Sequence, residues 1–293
     1  MSDFVPLDRE ALRSFPLPHH PEDSGKEDRG RLLVIAGSRE LAGAALLAGT
    51  AALRAGAGKL QIGTAESIAV ALAVAMPEAR VIAHPETEQG CIAEAGIAPL
   101  VIWAKAAQAI AIGCGMQHGP TLERLLSALL GCGADIPLVL DAAALDCLGA
   151  AEDEVRAWKG GTVLLPHAGE MARLLGLDRG EVERDPIAAA RAAADRFHAV
   201  ALVKGQYSFI AAPDGRAWRL EGGGVGLATS GSGDTLSGIV GGLAARGADA
   251  LTATLWGVWL HAEAGRILTD RVGRIGFLAR EIPDLIPGLL PAD

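Results

Sequence analysis

The sequence predicts an α/β fold in which a mainly parallel, doubly wound β-sheet is covered by helices on both faces. Two observations lead to this prediction. Short, continuously apolar runs alternate with Ala- and Leu-rich stretches of helical period, a pattern that is typical of parallel strands buried on both faces. The chain has 293 residues, of which 50% are hydrophobic and 21% charged, so it can bury a large core. A three-layer α/β/α sandwich is therefore expected.

The first 30 residues differ from the rest of the chain. They hold Pro16, Pro18, Pro21 and a charged run, so we expect a solvated arm in which residues 8–14 can form a short helix. One domain is expected to fill residues 31–293. Its first predicted elements are strand 32–37, helix 41–55, strand 59–63, helix 67–75, strand 109–113, helix 121–130, strand 137–141, strand 162–167, helix 170–175, helix 185–198 and strand 199–205.

The last third of the chain follows a different pattern. Residues 208–220 surround a Pro-Asp-Gly turn and predict a β-hairpin beside the parallel sheet. Helical periodicity then predicts helices over 234–245, 250–269 and 279–289. No internal repeat or linker indicates a second domain.

Composition and charge exclude several classes of protein. The formal net charge is −9, and no cluster of Lys and Arg could follow a phosphate backbone, so nucleic acid is not expected as a partner. The longest run without Asp, Glu, Lys or Arg, residues 106–122, contains Gly, Pro and His, which argues against a membrane span. The N-terminus lacks the features of a secretory signal, so we expect a cytoplasmic protein.

Five residues stand where predicted strands end: Gly37, Gly113, Asp141, His167 and Lys204. In open α/β sheets, ligands bind in the crevice outside the carboxyl ends of the strands. Two of these residues also have a structural explanation, because Asp141 could cap the following helix and His167 could be a hydrogen-bonded structural residue. The five together, at one edge of one sheet, favour a binding site.

The glycine-rich stretch over residues 222–247 runs directly into an apolar helix. The amides of Gly231, Ser232 and Gly233 would then point outward at the positive end of the helix dipole, where they could bind a phosphate or a developing anion. Asp234 falls in the first helical turn, where the dipole should keep its carboxylate ionised and able to accept a proton from a hydroxyl. The alternative is that Asp234 is the helix N-cap and that the glycines serve helix packing.

Several common motifs are absent. The sequence contains no G-x-x-x-x-G-K-[ST], no strict G-x-G-x-x-G, no H-E-x-x-H and no G-x-S-x-G. Their absence disfavours P-loop NTPases, dinucleotide-binding dehydrogenases, metalloproteases and α/β-hydrolases. What remains is nucleotide chemistry in which a backbone anion hole and an aspartate base act on a hydroxyl.

The GSGD sequence that opens this helix resembles the anion-hole motif of the ribokinase-like superfamily. Four further stretches make the chain similar to one family within it, the ADP/ATP-dependent NAD(P)H-hydrate dehydratases. All five come in the family's order, so the match is more specific than any single motif. The four stretches are residues 28–60, AIGCG at 111–115, LLPHAGEMARLLG at 164–176 and VKGQYSFI at 203–210.

This resemblance implies a ribokinase-like enzyme of nicotinamide-cofactor repair. Such an enzyme would return the (S)-form of hydrated NADH or NADPH to NAD(P)H, by moving a phosphoryl group from a nucleotide to the ring hydroxyl and then losing phosphate. Mg²⁺ would assist the transfer, and similarity to stand-alone bacterial members favours ADP over ATP as the donor. The resemblance further implies a homotetramer and a functional link to an NAD(P)HX epimerase, a domain for which we expect no room in this chain.

The family's functional residues map onto this sequence motif by motif. Asp234 would be the catalytic base, with the amides of Gly231, Ser232 and Gly233 as the anion hole. The resemblance assigns the hydrated cofactor to Ala44, Gly115, His167 and Asp234. It assigns the nucleotide to Lys204, Gly205, Gln206, Tyr207, Ser208 and Gly233. It assigns no metal ligand.

The sequence departs from the family at three places. Gly224 stands where members commonly have Asn, and Ala143 stands where many have Asp. The segment that begins at Ser230 reads SGSGD where members have GGTGD. None of these changes removes the proposed base or the anion hole, but Gly224 cannot make the metal or phosphate contact of an Asn side chain.

Two other functions stay open. A ribokinase-like kinase of a small alcohol, such as a vitamin precursor, shares GSGD but should lack the combination of PHAGE and VKGQYS. A catalytically idle nucleotide-binding module would have no need of Asp234. On the long helix near the C-terminus, Trp256, Trp259 and His261 are interpreted as core or subunit contacts rather than as site residues.

Overall fold

The apolar runs of the sequence form the middle of a mixed β-sheet in the computed structural model, which describes residues 4–291. Within these residues the sheet has ten strands. They are β1 (Val5–Pro6), β2 (Arg31–Ile35), β3 (Lys59–Ala65), β4 (Ala79–His84), β5 (Ala109–Ile112), β6 (Leu138–Leu140), β7 (Thr162–Leu164), β8 (Val200–Val203), β9 (Tyr207–Ala211) and β10 (Ala217–Glu221).

The strand order across the sheet is β1-β10-β9-β8-β7-β6-β5-β2-β3-β4. Strands β2 to β8 pair in parallel, whereas β9 pairs antiparallel with both β8 and β10. The predicted parallel sheet and its flanking hairpin are therefore confirmed. The chain builds outward from β2 to β4 and then returns to the other side of β2 with β5, so the strand order reverses between β2 and β5.

Helices cover both faces of this sheet. They are α1 (Ala42–Arg54), α2 (Glu66–Ala75), α3 (Ile97–Lys105), α4 (Pro120–Leu130), α5 (Glu152–Ala157), α6 (Ala168–Leu175), α7 (Arg179–Arg184), α8 (Pro186–Phe197), α9 (Ser232–Ala245), α10 (Ala250–Arg271) and α11 (Ile286–Leu289). Two buried clusters result. Leu32 and Val34 of β2 pack with α1, α9 and α10, and Leu33 and Ile35 pack on the opposite face with α4 and α8. The three-layer architecture is confirmed.

Helices α1 and α9 pack backbone to backbone. A Cβ atom on Gly238 would overlap the carbonyl oxygen of Ala48, and one on Gly242 would lie 2.5 Å from that of Ala52. Only glycine fits at such positions, because any side chain would separate the two helices. The small residues of the sequence therefore bring these two helices unusually close.

The predicted solvated arm is wrong for its first half. Strand β1 pairs with β10, Leu12 is fully buried, and the carbonyl of Phe15 accepts a 2.6 Å hydrogen bond from Trp256 Nε1. The helix expected at residues 8–14 is a short 3₁₀ helix, Ala11–Ser14. Residues 21–29 are mostly exposed, as expected.

The helix predicted over residues 279–289 is broken into three short pieces. Two 3₁₀ turns, Ala279–Glu281 and Pro283–Leu285, precede α11. Pro283 and Pro287 have no amide hydrogen to donate, so a continuous α-helix would lose backbone hydrogen bonds here. Within residues 4–291, no helix combines the length and the apolar character that crossing a membrane requires.

Candidate active site

The five residues predicted at strand ends lie along one edge of the sheet. Strands β8, β7, β6, β5 and β2 are neighbours in that order, so the residues that follow them line up side by side. Direct contacts support this arrangement: Lys204 pairs with His167 in an isolated bridge, and the Gly37 amide donates a 2.8 Å hydrogen bond to the carbonyl of Cys114. This edge includes the position where the strand order reverses, which is where ligands bind in such folds.

A buried ion pair joins the ends of β6 and β8. Lys204 Nζ donates to Asp141 Oδ1 at 2.9 Å, and the side chain of Asp141 is only 4% exposed. Burial raises the pKa of Asp141, and the ammonium of Lys204 opposes that rise. Burial alone would lower the pKa of Lys204, but the carboxylates of Asp141 and Glu170 hold it above its usual value. Lys204 therefore keeps its positive charge at the site.

Asp141 also caps the structure that follows it. Its Oδ1 accepts a 2.9 Å hydrogen bond from the amide of Ala142, at the start of the 3₁₀ helix Ala142–Ala150. The structural explanation of Asp141, that it caps the helix that follows, is therefore correct, and the same residue also forms the ion pair. One carboxylate stabilises both the local backbone and the Lys204 ammonium.

The three amides assigned to the anion hole differ in their hydrogen bonding. The amide of Ser232 donates to the carbonyl of Thr229 at 3.2 Å, and its role in an anion hole stays a prediction. The amides of Gly231 and Gly233 donate to no acceptor within residues 4–291. A Cβ on Gly233 would lie 3.5 Å from Lys204 Nζ. Two amides without an acceptor in the described part of the chain therefore lie at the positive end of α9, and the Lys204 ammonium lies beside Gly233.

The shape of this turn depends on glycine at position 231. Gly231 is the N-cap residue of α9 with φ of +87°, a conformation that L-residues with side chains rarely adopt. A Cβ there would overlap Leu47 Cδ1 of helix α1. Thr235 secures the turn from within, because its Oγ1 donates to the carbonyl of Gly231 at 3.1 Å.

Asp234 lies in the first turn of α9 and is not its N-cap, since that position belongs to Gly231. The alternative interpretation of Asp234 as a capping residue is therefore wrong. Burial and then repulsion by Asp141 raise the pKa of Asp234 to about 6, against the opposing influences of the Cys114 thiol and Lys204. The expectation that this carboxylate stays ionised is compatible with that pKa, because a group with a pKa of about 6 is mostly ionised at pH 7. A carboxylate with a pKa near neutrality is well suited to act as a general base.

Ala44 and Gly115, both predicted to contact the hydrated cofactor, are in contact with each other. A Cβ on Gly115 would lie 2.6 Å from the Cβ of Ala44 and 2.7 Å from the carbonyl oxygen of Leu41. The left-handed φ of Gly115, +64°, and the absence of a side chain allow this approach. The pair lies beyond the ends of β2 and β5.

His167 caps helix α6 through its side chain. Its Nδ1 accepts hydrogen bonds from the amides of Gly169 and Glu170 at 3.0 and 3.2 Å. The structural explanation weighed for His167 is thus correct. Its side chain is nevertheless 57% exposed, with Nε2 3.5 Å from Glu170 Oε1, so the other edge of the ring remains accessible to a ligand.

Glu170 is a site residue that the sequence reasoning missed. Its Oε2 accepts a 2.8 Å hydrogen bond from the amide of His167, which completes a capping box. The carboxylate is also close enough to shift the pKa values of Asp141 and Lys204. The signal that could have found it is the H-x-x-E spacing at the start of a helix.

The segment assigned to the nucleotide begins at the buried ion pair and continues into an exposed turn. Lys204 contacts Asp141, whereas Gly205, Gln206 and Tyr207 form an exposed turn at the start of β9. Ser208, the last residue of the segment, lies opposite Leu220 of β10. The Gln206 carbonyl accepts a hydrogen bond from the Gly222 amide at 3.0 Å, which ties this turn to the glycine-rich stretch. Its contact with a nucleotide stays a prediction.

Gly224, which stands where the family commonly has Asn, has φ of +93° and begins a 3₁₀ turn at Val225–Leu227. The backbone there suits glycine. A Cβ at this position would lie 3.3 Å from Thr269 Oγ1.

The long helix α10 contains both core and site residues. Trp256 is buried and packs edge-on against Trp259, with ring centroids 5.8 Å apart, which confirms the interpretation of Trp256 as a core residue. His261 was grouped with them, and it too contacts a residue within the fold. Its Nε2 lies 3.0 Å from Ser232 Oγ and 3.1 Å from the carbonyl oxygen of Ser232, so it contacts the GSGD turn directly.

Carboxylates suited to a divalent cation lie at the same edge. Asp141 influences the ionisation of Asp234, and Glu170 that of Asp141. Within residues 4–291, no three His, Cys, Asp or Glu side chains are grouped closely enough to hold a metal by themselves. Mg²⁺ is commonly bound by one or two carboxylates together with the phosphates of a substrate. The donor set therefore fits a Mg²⁺ that binds jointly with a nucleotide.

A surface cavity of about 750 Å³ lies elsewhere, at the amino ends of β7 and β8, with Arg156, Lys159, Thr162 and Arg216 in its lining. It contains none of the strand-end residues or the GSGD turn. The chemistry of the carboxyl edge, rather than the size of this cavity, identifies the candidate active site.

The fold is that of a ribokinase-like α/β protein, and its carboxyl edge carries a glycine-rich turn, a buried ion pair and a carboxylate of raised pKa. A ribokinase-like superfamily protein from Enterococcus faecalis V583 superposes with a TM-score of 0.83 over 99% of this chain and 96% of its own, at 24% identity. The family model described as NAD(P)H-hydrate dehydratase matches residues 32–288. The chain belongs to the NAD(P)H-hydrate dehydratase family.

Three relatives of known name are similar over most of this chain. The ADP-dependent (S)-NAD(P)H-hydrate dehydratase of Xanthomonas campestris pv. campestris is 50% identical over 96% of this chain and 94% of its own length. The Bacillus subtilis ADP/ATP-dependent NAD(P)H-hydrate dehydratase, co-crystallised with ATP/Mg²⁺, has a TM-score of 0.83 and 31% identity over 99% of this chain and 98% of its own. The bifunctional NAD(P)H-hydrate repair enzyme Nnr of Moorella thermoacetica is 35% identical over 94% of this chain, which spans 52% of that relative.

Proposed function

We propose that this protein is an ADP-dependent (S)-NAD(P)H-hydrate dehydratase. The observation that carries the proposal is Asp234, a half-buried carboxylate with a pKa near 6, placed beside open amides at the start of α9 and near the Lys204 ammonium. This arrangement can take a proton from a hydroxyl and stabilise a phosphoryl group at the same place. The identity to named dehydratases supports the choice of substrate.

The proposed reaction has two steps. The carboxylate of Asp234 accepts the proton of the ring hydroxyl, and the hydroxyl oxygen forms a bond to the terminal phosphorus of ADP while AMP leaves. The C–O bond of the phosphorylated ring then breaks, so that phosphate departs, and a ring C–H is lost as a proton to restore the double bond. The products are NAD(P)H, AMP and phosphate, with the atoms of water carried away in phosphate and protons.

Particular residues would stabilise the transferred group. The open amides of Gly231 and Gly233, together with the Lys204 ammonium, would face the negative charge that develops during transfer. Asp141 and Glu170 would hold a Mg²⁺ that arrives with the nucleotide, and this ion would neutralise phosphate charge. The third amide of the proposed anion hole, that of Ser232, donates to the carbonyl of Thr229 in this structure.

Other residues would hold the two substrates. Ala44 and Gly115 would pack against the hydrated nicotinamide ring, with the exposed edge of His167 on the other side. The segment over residues 204–208 would run beside the nucleotide, with Gly233 leaving room for its phosphates. Because Gly224 has no side chain, nucleotide binding would rest on the backbone and on Lys204 at this end of the site.

We propose that the protein works as a cytoplasmic homotetramer, functionally linked to an NAD(P)HX epimerase. Apolar residues on the surface of α2 support self-association, since Val70 and Val74 are 76% and 78% exposed beside the edge strand β4. Light scattering after size exclusion tests the oligomer, with Val70→Lys/Val74→Lys as the variant expected to disrupt it and a monomeric wild type as the result that contradicts it.

The function is tested by supplying hydrated NADH with ADP or with ATP and following the absorbance of the reduced nicotinamide. Recovery with ADP, with AMP and phosphate as products, is the expected result. A vitamin-precursor kinase would instead phosphorylate a small alcohol and leave the hydrated cofactor unchanged. Tight nucleotide binding without any recovery of NADH would reject the dehydratase in favour of that kinase or of an idle binding module.

A further inference from the structure

The imidazole of His261 lies behind the anion-binding turn, on the neighbouring helix α10. Its Nε2 approaches two oxygens of the same residue, Ser232, at 3.0 Å for Oγ and 3.1 Å for the backbone carbonyl. Ser232 is the first residue of α9 and is 6% exposed. The contact therefore joins the middle of α10 to the residue between the two open amides of the turn.

The geometry determines which ring nitrogen carries the proton. A carbonyl oxygen only accepts hydrogen bonds, so Nε2 must be the donor to it, and the same N–H can be shared with the hydroxyl oxygen as a three-centre bond. Burial lowers the pKa of His261 to about 4, which keeps the ring neutral at pH 7. A neutral ring with the proton on Nε2 satisfies both contacts.

The position of Ser232 determines the position of the groups beside it. Gly231 is fixed in a left-handed conformation against Leu47, and Gly233 faces Lys204. A rotation of the backbone at Ser232 would redirect the amides of the glycines on either side. It would also displace the carboxylate of Asp234, the next residue after Gly233. Displacements of about 1 Å at such groups cost roughly 10²-fold in rate, because stabilisation of a transition state depends on pre-oriented dipoles.

We propose that His261 is a positioning residue of the phosphoryl-transfer site, which holds Ser232 through the Nε2–H donor so that the amides of Gly231 and Gly233 keep the orientation needed in the transition state. This inference rests on the proposed dehydratase function. His261 touches neither substrate in this role. Its removal is expected to lower kcat much more than it raises either KM.

The experiment compares His261→Leu with His261→Gln in the full-length protein. Leucine fills the space without a donor, and kcat is expected to fall roughly tenfold to hundredfold, with both KM values within about threefold of wild type. Glutamine keeps an N–H donor on a side chain of similar reach and is expected to retain more than about a third of the wild-type kcat. Wild-type kcat in His261→Leu, or a rise in KM alone, overturns the proposal.

Thr254→Val is the matched control. Thr254 lies on the same helix, is fully buried and donates a 2.7 Å hydrogen bond to the carbonyl of Ala250, so its removal weakens α10 without touching Ser232. It is expected to lower Tm but to leave kcat unchanged. If Thr254→Val lowers kcat as much as His261→Leu does, the effect of His261 is one of helix stability and the proposal is overturned.

A readout that needs no enzyme activity separates this inference from the proposed function. In ¹⁵N-labelled protein, the imidazole of His261 is expected to show a protonated Nε2 and an unprotonated Nδ1 throughout pH 6–8, assigned by loss of the signal in His261→Gln. A proton on Nδ1, or a charged ring in that range, overturns the proposal even if the enzyme is active. If wild-type protein fails to dehydrate the hydrated cofactor, the proposed function fails while this spectrum still decides the hydrogen bond.

Discussion

Two carboxylates at the same edge of the sheet are held in opposite ways. Asp141, at the end of β6, has the Lys204 ammonium 2.9 Å away and a backbone amide on the same oxygen. Asp234, in the first turn of α9, forms no ion pair among the residues that the structure describes, and burial raises its pKa to about 6. Burial raises the pKa of both carboxylates, but Asp141 has an ammonium in direct contact that opposes the rise, whereas Asp234 has no such partner within residues 4–291 and can gain and lose a proton near neutral pH. In the proposed mechanism, a paired cation distinguishes the structural acid, Asp141, from the proposed base, Asp234.

The largest expected effect comes from removing the proposed base, Asp234. Asp234→Asn should lower kcat by about 10²- to 10⁴-fold, because an amide cannot accept the hydroxyl proton. Nucleotide affinity should be nearly unchanged, since the amides of Gly231 and Gly233 and the Lys204 ammonium remain. Steady-state kinetics and calorimetric titration with ADP measure the two quantities. Near-normal turnover would remove Asp234 from the role of base.

Loss of the cation that pairs with Asp141 should lower the stability of the protein as well as its activity. Lys204→Met leaves Asp141 buried without its cation, and the free energy of unfolding should fall by about 3 kcal/mol, as is typical when one partner of a buried ion pair is lost. Chemical denaturation at pH 7 measures it. The double variant Asp141→Asn/Lys204→Met should regain part of this loss, because no uncompensated charge remains. Equal stability of Lys204→Met and wild type would show that the pair does not stabilise the fold.

Removing the Asp234 carboxylate should have the opposite effect, because it should raise the stability of the protein. The pKa of Asp234 is about 6 in the folded protein, against an ordinary value of 3.8, so the folded state binds this proton more tightly than the unfolded state does. The carboxylate therefore destabilises the fold progressively as pH rises from about 4 to about 6, and by a constant amount above that. Asp234→Asn should be more stable than wild type by about 3 kcal/mol at pH 8 and by almost nothing at pH 3.5. A pH-independent difference would contradict the raised pKa.

The smallest expected effect concerns His167, which both caps α6 and borders the site. His167→Ala should cost about 1 kcal/mol of stability, the usual value for a lost N-cap. His167→Asn supplies another capping oxygen and should keep most of that stability, so it isolates any contact with the substrate. A raised KM for the hydrated cofactor in His167→Asn would support substrate binding, and an unchanged KM would leave His167 with the cap alone.

The central strands could be predicted because each of them is a run of consecutive apolar residues. The apolar runs that became β2, β3 and β5 to β8 are buried on both faces, so each run alone indicates a strand. Strand β4 was missed since it lies at the sheet edge, where Arg80 is exposed and Val81 only half-buried. The N-terminal arm was misjudged because Phe15 is held by Trp256, a partner 241 residues away.

In the site, too, features that follow from local sequence could be predicted, whereas features that depend on distant packing could not. Asp141 and Lys204 could be predicted because strand ends in a parallel sheet share one edge, which is a local rule. The bonding of the Ser232 amide and the contact of His261 could not, since the first depends on the detailed path of a glycine-rich turn and the second on how α10 packs against α9. Glu170 lay between these cases, because its capping-box spacing was visible but its neighbours across the sheet were not.

The close packing of α1 and α9 links the position of the proposed substrate contact to that of the proposed base. Helix α1 carries Ala44, and α9 carries Asp234, and the two backbones touch at Gly238 with no side chain between them. In the proposed reaction, the separation between the hydrated ring at Ala44 and the base Asp234 would therefore depend on this contact between two backbones. A methyl group at position 238 would push the two helices apart. It would change the distance between Ala44 and Asp234 although every residue of the site is intact.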